Sequence, residues 1–388
     1  MVTIDKKHAD SVAIVVVGYN RLAGIKRLLK SIEKADYPSE DIPLVISIDA
    51  SGNKELYDFV KNYTWRHGTK YVNIQEERLG LKNHIFQCAD LTEHFKAVII
   101  LEDDLYVSTQ YYNYVLKALD VYGDNKNIAQ IALYRNEMNG YVGLPYEPLQ
   151  SGYDVLKIQA TCSWGECWNK RMWQEFKKAL PEITDDRIQK CDMPRQIKGW
   201  TRAWSKYFYT FIIENNKYVL YPNVSHTTNF NDAGGEHGSS GTFVQASLLQ
   251  NPIDYRMPEE AKLTTYDVYY NNKSIYKSIG IDEDELCLDL YGFNDNIKGK
   301  RYILSSKYLS YGIVKSFGIE MRPLEMNILQ NIEGKGIFLY DTTISAQPKG
   351  KGYSKYLIDY FLKGFNFNLM TKESLRILIS KIRGKLHV

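Results

Sequence analysis

An apolar run that ends in three consecutive carboxylates constrains this chain more than any other stretch. In residues 97–108, AVIILEDDLYVS, Val98 to Leu101 have the unbroken hydrophobicity of a strand buried on both faces, and Glu102, Asp103 and Asp104 follow directly. Adjacent carboxylates repel one another, and burying them without a partner is costly. Two readings stay open: a solvated turn at a strand end, or a site where a cation compensates the charge. The end of a buried strand is where open α/β sheets place their ligands. Hard divalent ions such as magnesium and manganese take carboxylate oxygens and keep positions free for substrate phosphates.

The flanking sequence alternates between strand and helix patterns. VAIVVV (12–17) is followed by Gly18-Tyr19-Asn20-Arg21. Apolar residues then recur at Leu22, Ile25, Leu28, Leu29 and Ile32, the spacing of a helix with one buried face. LVISI (44–48) stops at Asp49, and YVNIQEE (71–77) leads through Arg78 and Lys82 into a third helix. The acidic strand is the fourth, YYNYVLKALDVYG the next helix, and IAQIALY a fifth strand. Units of about 25–30 residues in this order predict an α/β fold, a Rossmann-like doubly wound sheet with helices on both faces.

After residue 140 the alternation stops. GECWNKRMWQEFKKAL (165–180) reads as a helix with Trp168, Met172 and Phe176 on one stripe, and residues 200–215 as another helix. NFNDAGGEHGSSG (229–241) is turn chemistry throughout and predicts a mobile surface loop. KGKRYILSS and GIFLYDTT further on read as short strands. The expected organisation is one domain over 1–255, with halves at 1–140 and 141–255. A smaller C-terminal α+β extension at 256–348 and a basic tail at 349–388 complete it.

The formal net charge of +3 gives no ground for a nucleic-acid partner. The 31 tyrosines are compatible with sugar stacking and equally with ordinary strand packing. Cysteines 88, 162, 167, 191 and 287 are odd in number and lack zinc or disulfide spacing, so reduced thiols in a cytosolic protein are expected. The polar MVTIDKKHADS start is not a signal peptide, and no apolar run approaches the ~18 residues of a membrane span. In the tail, nine Lys or Arg face only Asp359 and Glu373. Leu375, Leu378, Ile379 and Ile382 fall at helical spacing there. Such a segment either lies on an anionic membrane surface or docks as a terminal helix with solvated lysines.

Three strand ends face one crevice: residues 18–21, Asp49, and residues 102–104. A nucleotide suits this pattern. Asp49 either accepts hydrogen bonds from a base or ribose or serves as an ordinary helix-start aspartate. Arg21 and Lys82 are candidate phosphate partners, each alone equally readable as a surface cation. Neither GxGxxG after the first strand nor GxxxxGK[ST] occurs, which argues against a dinucleotide fold and a P-loop.

VAIVVVGYNR, LVISIDAS and AVIILEDDLYVSTQYYNYVLKAL, in this order, resemble inverting glycosyltransferases of GT-A fold. The similarity is greatest to eukaryotic N-acetylglucosaminyltransferase I and to bacterial family-2-like enzymes of capsule and lipopolysaccharide synthesis. SWGECWNKRMWQEF is similar to the acceptor-side segment of that group, and the resemblance spans about residues 11–240. It implies a nucleotide-sugar donor, usually a UDP sugar, with Mn2+ or Mg2+ on its diphosphate. Asp104 would be the metal ligand, Asp103 would contact ribose or metal, and Glu102 would stand behind them. Gly18, Tyr19, Asn20, Arg21, Asp49 and Lys82 would bind the donor, and Trp164, Gly165 and Glu166 the acceptor.

The chain departs from the group at the general base. Where an aspartate follows the first Trp of a W-D-x-x-W stretch, this sequence has Thr201 in Trp200-Thr201-Arg202-Ala203-Trp204. Glu236 is the first substitute and Asp232 the second, followed by Asp192 and Glu166, while His237 would join the metal. The expectation is an inverting, metal-dependent glycosyltransferase of surface polysaccharide synthesis. It would act on a glycan or lipid-linked acceptor, in the cytoplasm, peripheral on the inner face of the cell membrane. The alternative is a non-catalytic nucleotide-sugar- or glycan-binding relative that lacks the base.

Overall fold

The computed structural model describes residues 3–232, 244–297, 299–362, 364 and 366–385. The chain packs as two compact units, residues 1–277 with 293–297, and residues 278–292 with 298–388.

The first unit begins with β1 (Val12–Gly18), α1 (Leu22–Ile32), β2 (Leu44–Ile48), α2 (Lys54–Asn62), β3 (Lys70–Ile74), α3 (Gly80–Ala89) and β4 (Ala97–Glu102). Every residue of β1 and β2 is buried, so these strands carry no polar alternation. Helix α1 buries Ile25, Leu28, Leu29 and Ile32, one face at i, i+3, i+4 and i+7. Next come β5 (Leu105–Val107), α4 (Tyr111–Tyr122), β6 (Ile128–Ala132), a small antiparallel pair β7 (Met138–Asn139) and β8 (Leu144–Pro145), and β9 (Val155–Ile158). β10 (Glu166–Asn169) follows, then α5 (Lys170–Ala179), α6 (Asp185–Lys190), α7 (Arg195–Lys198), α8 (Ser205–Glu214), β11 (Tyr218–Pro222), β12 (Thr227–Asn229) and β13 (Thr265–Tyr266).

Nine strands form one sheet in the order β13-β9-β11-β6-β10-β4-β1-β2-β3. β4, β1, β2 and β3 are parallel neighbours. The chain therefore builds outward from β1 through β2 to β3, then returns to lay β4 on the other side of β1. That reversal, between β1 and β4, is a topological switch point, the place in open α/β sheets where a ligand crevice is expected. The mixed α/β architecture expected from the alternation is present.

Three expectations need correction. Residues 166–169 are not the start of a helix: they form β10, antiparallel to both β4 and β6. Asn169 then caps α5 by accepting from the Met172 N–H at 2.9 Å. Trp168 reaches the same aromatic cluster from the strand that it was expected to reach from a helix, packing on Trp173, Trp204 and Phe208. The glycine-rich stretch also starts later than expected, because Thr227–Asn229 pair with β5 and Asn231 is buried. Finally, the expected limit at residue 255 falls inside the first unit, since β13 extends its sheet beside β9.

After α9 (Ser274–Ile279) the second unit has a four-stranded sheet. Its strands are β14 (Leu286–Asp289), β15 (Tyr302–Ser305), β16 (Tyr311–Phe317) and β17 (Ile337–Ser345), in the order β14-β15-β17-β16. The strands expected from KGKRYILSS and GIFLYDTT are β15 and β17, and β16 lies between them in sequence. The unit also contains α10 (Met326–Leu329), α11 (Lys355–Leu362) and α12 (Phe367–Lys385).

Candidate active site at the switch point

The acidic turn after β4 meets the start of α1 at close range. A Cβ built on Gly24 would lie 2.4 Å from the Asp103 carbonyl oxygen, so only glycine lets the first turn of α1 approach this far. Arg21, at the helix start, donates through Nη2 to the Asp103 carboxylate and, at 3.4 Å, to Asp104 Oδ2. Asp103 is buried; burial pushes its carboxyl up to about 6, against the opposing pull of the Arg21 charge.

A second arginine closes the cluster from far along the chain. β12 pairs with β5, and the Phe230 N–H donates to the Asp104 carbonyl oxygen at 2.8 Å, which brings residues 230–232 over the acidic turn. Asp232 takes a two-pronged ion pair from Arg27: Nη1 to Oδ1 at 3.0 Å, and Nη2 to Oδ2. The Arg27 guanidinium also stacks 3.9 Å from the centre of the Phe230 ring. Three carboxylates and two guanidiniums thus share one corner. Asp232 adds to the charge that Asp103 feels. Among the described residues Arg21 Nη1 and Arg27 Nε are buried without a hydrogen-bond partner, while the two side chains as a whole keep 24% and 23% of their surface exposed.

The residues around the crevice divide into those that face it and those committed elsewhere. Gly18 ends β1 with no room for a side chain, since a Cβ would stand 2.7 Å from Ile25 Cδ1. Tyr19 is exposed with Arg78 4.7 Å above its ring, and Asn20 is held to the α2 cap by Asn53, Nδ2 to Oδ1 at 2.9 Å. Asp49 is buried and behaves as the helix-start aspartate: it accepts from the N–H groups of Leu79 at 2.8 Å and Gly80 at 3.0 Å, at the start of α3. Lys82 lies 4.6 Å from the centre of the Tyr207 ring. Glu102 is half-buried at the end of β4.

The acceptor-side expectation fails for Glu166. Its residue exposure is 0%, and neither carboxylate oxygen makes a hydrogen bond of ordinary geometry, so no acceptor reaches it. Burial pushes its carboxyl well above the ordinary carboxylate range, and the Glu102 charge adds to the rise. Gly165 is required by its φ of +94° and by Thr227 Cγ2, which a Cβ would meet at 2.7 Å. Trp164 is half-buried, edge-on to Tyr134. Glu236 and His237 lie outside the described residues. Thr201 is exposed, and Asp192 accepts from the Tyr269 hydroxyl at 2.8 Å.

Sequence reasoning missed Gly24, Arg27 and Phe230. An isolated glycine inside an amphipathic helix was the available signal for the first. No local pattern reveals the Arg27–Asp232 pair, whose members are 205 residues apart.

Among the described residues no three His, Cys, Asp or Glu side chains converge as a metal-holding set. Arg21 Nη2 approaches Asp104 Oδ2 at 3.4 Å. An Asp104 carboxylate oxygen has the chemistry to meet a hard divalent ion carried on a diphosphate.

No family model matches the chain, and no curated protein matches it. Among solved structures, residues 1–349 of S. aureus TarS in complex with UDP-GlcNAc match at 16% identity and a TM-score of 0.36, over 59% of this chain and 61% of that one. The mannosyltransferase PcManGT from Pyrobaculum calidifontis, in complex with GDP-Man and Mn2+, matches at 16% identity and 0.32, over 44% and 47%. GalNAc-T7 with UDP, GalNAc and Mn2+ matches at 13% identity and 0.39, over 56% and 43%. The chain spans 59% of the first TarS 1–349 structure it matches.

Proposed function

We propose that this chain is a glycosyltransferase that takes a sugar from a nucleotide-sugar donor, a UDP sugar by preference, and passes it with inversion to a glycan or lipid-linked acceptor of a surface polysaccharide. The observation that carries this reading is the charged corner at the β1/β4 switch point. The sheet order reverses there, the place where open α/β sheets bind ligands, and two partly exposed arginines stand beside Asp103, Asp104 and Asp232.

In this reading the diphosphate lies against the exposed quarter of the Arg21 and Arg27 side chains, whose charges balance the phosphates. Asp103 keeps Arg21 in place through its ion pair, and Gly24 lets the arginine-bearing helix sit this close. Asp104 would hold Mn2+ or Mg2+ together with the donor, and the ion would neutralise charge on the departing diphosphate. Tyr19 and Asn20 border the nucleoside end. Asp232 is the described carboxylate assigned to take the acceptor proton, with Glu236 the other candidate. Arg27 holds both Asp232 oxygens, so this ion pair must open before Asp232 can meet the acceptor hydroxyl.

Calorimetry with a panel of UDP and GDP sugars, with Mn2+ and with chelator, tests the donor site. Asp104→Ala is expected to abolish the metal-dependent part of donor binding; unchanged affinity removes the assignment. Asp232→Asn is expected to lower kcat by a factor of about 10²–10⁴ while donor binding is retained or tightened, because Arg27 loses its competing partner.

A second reading rests on its own observations. Thr201 replaces the expected base, and Asp232 is clamped by Arg27. A non-catalytic nucleotide-sugar or glycan binder would show donor affinity with neither transfer nor hydrolysis across the same panel.

A further inference from the structure

Helix α12, Phe367–Lys385, decides between the two readings of the basic tail. A docked terminal helix hides its apolar side, and this one does not. Leu375 is 53%, Ile377 56%, Leu378 55% and Ile379 46% exposed, and Met370 is 39% exposed. At about 100° per residue these five side chains sweep an arc of about 200° round the helix, which Thr371 and Ser374 share, while Leu369, 58% exposed, lies on the other side. Lys372, Glu373, Arg376 and Ser380 occupy the opposite side, where Arg376 Nη1 lies 3.7 Å from Glu373 Oε2. Apolar side chains exposed to this degree over several turns mark a contact surface and not a water-facing one.

The charge beside the arc selects the partner. Residues 349–388 carry nine Lys or Arg against Asp359 and Glu373. Lys372 and Arg376 stand one turn apart along the edge next to Ile379, so their long side chains extend from the apolar face toward anionic headgroups as that face sinks. Within the described residues no helix is long and apolar enough to cross a membrane. We propose that α12 lies in the plane of an anionic bilayer surface, with the Leu375, Leu378 and Ile379 face among the acyl chains and the Lys372 and Arg376 edge at the phosphates. This inference stands on the second unit alone and survives if the donor site is misassigned. If both hold, the donor site works beside a membrane, where lipid-linked acceptors reside.

The test is co-sedimentation of the full chain with vesicles of phosphatidylcholine alone and of phosphatidylcholine with about one-third phosphatidylglycerol. The protein is expected to bind the anionic vesicles and to be released as salt rises. The double variant Leu378→Glu, Ile379→Glu is expected to lose about tenfold or more in partitioning without a change in Tm, because both side chains are already exposed. Arg376→Gln is expected to lose about fivefold, the share of one basic residue near a charged surface. Equal sedimentation of the double variant, or no binding by the unaltered chain, overturns the proposal. So does a dimer in sedimentation velocity that the double variant dissolves, because a second copy of the chain would then be the partner of this face.

Discussion

At the scale of single residues, Gly24 has the most to say about the site. Replacing a helical glycine by alanine ordinarily stabilises by about 1 kcal/mol, through helix propensity and a stiffer unfolded chain. Here the new methyl would meet a backbone carbonyl oxygen at 2.4 Å, and backbone cannot rotate away as a side chain can. Gly24→Ala is therefore expected to destabilise, by about 1–3 kcal/mol in urea denaturation. Donor affinity should fall with it, because α1 and the acidic turn would be forced apart. A stabilised variant would mean that the two backbones are not in contact. The acidic triplet is legible in the amino-acid sequence alone as a group that demands a counter-charge, but the source expected there is a divalent ion with Arg21 left for phosphate, whereas Arg21 itself pairs with Asp103 and approaches Asp104. Asp49 is legible there only as a choice between two roles. Deciding between them needs the position of α3, which a carboxylate cannot announce in its own sequence.

Among elements, β10 is where sequence reasoning and structure part. Trp168, Met172 and Phe176 have perfect helical spacing, yet the first of them is on a strand. Trp168 in β10 and Phe176 on α5 both pack on Trp173 and Phe208, so the pattern of burial survives a change of secondary structure. The cost of inserting β10 between β4 and β6 falls on Glu166, whose carboxyl enters the core. Because its folded-state pKa is raised above the ordinary 4.5, the folded chain binds this proton more tightly than the unfolded chain does. Stability contributed by the protonated form is complete below about pH 4.5 and is lost as pH rises toward the folded-state pKa. Glu166→Gln keeps the shape and cannot ionise. Its stability advantage over the unaltered protein is expected to widen by about 1.4 kcal/mol per pH unit across that window, read from denaturation at a series of pH values. A difference that does not change with pH would mean that this carboxyl does not titrate from inside the core.

For the whole molecule, strand order does what no single motif does. The β–α alternation reveals a parallel sheet, but which side of β1 receives β4 is a property of the folded chain, and that placement sets the ends of β1 and β4 side by side. The second unit is hardly legible, since short strands joined by tyrosine- and lysine-rich loops carry little periodicity. The cysteines offer a probe of both units at once. All five are buried thiols outside any disulfide: Cys88, Cys162, Cys167 and Cys191 in the first unit, Cys287 in the second. Burial raises the Cys88, Cys162 and Cys191 thiols to about 12 and pushes Cys167 up as well. Each unit of rise cuts the reactive thiolate fraction about tenfold, and burial also blocks the reagent. The native chain is therefore expected to leave all five thiols unlabelled by an aromatic disulfide reagent over the hours in which denatured chain labels completely. Labelling through a urea gradient, with the modified peptides identified by mass, should follow the unfolding of each unit separately: Cys287 reports the second, the other four the first. If one of those four reacts in native buffer, the first unit opens locally at that thiol, and the tight core drawn around β4 and β10 is wrong there.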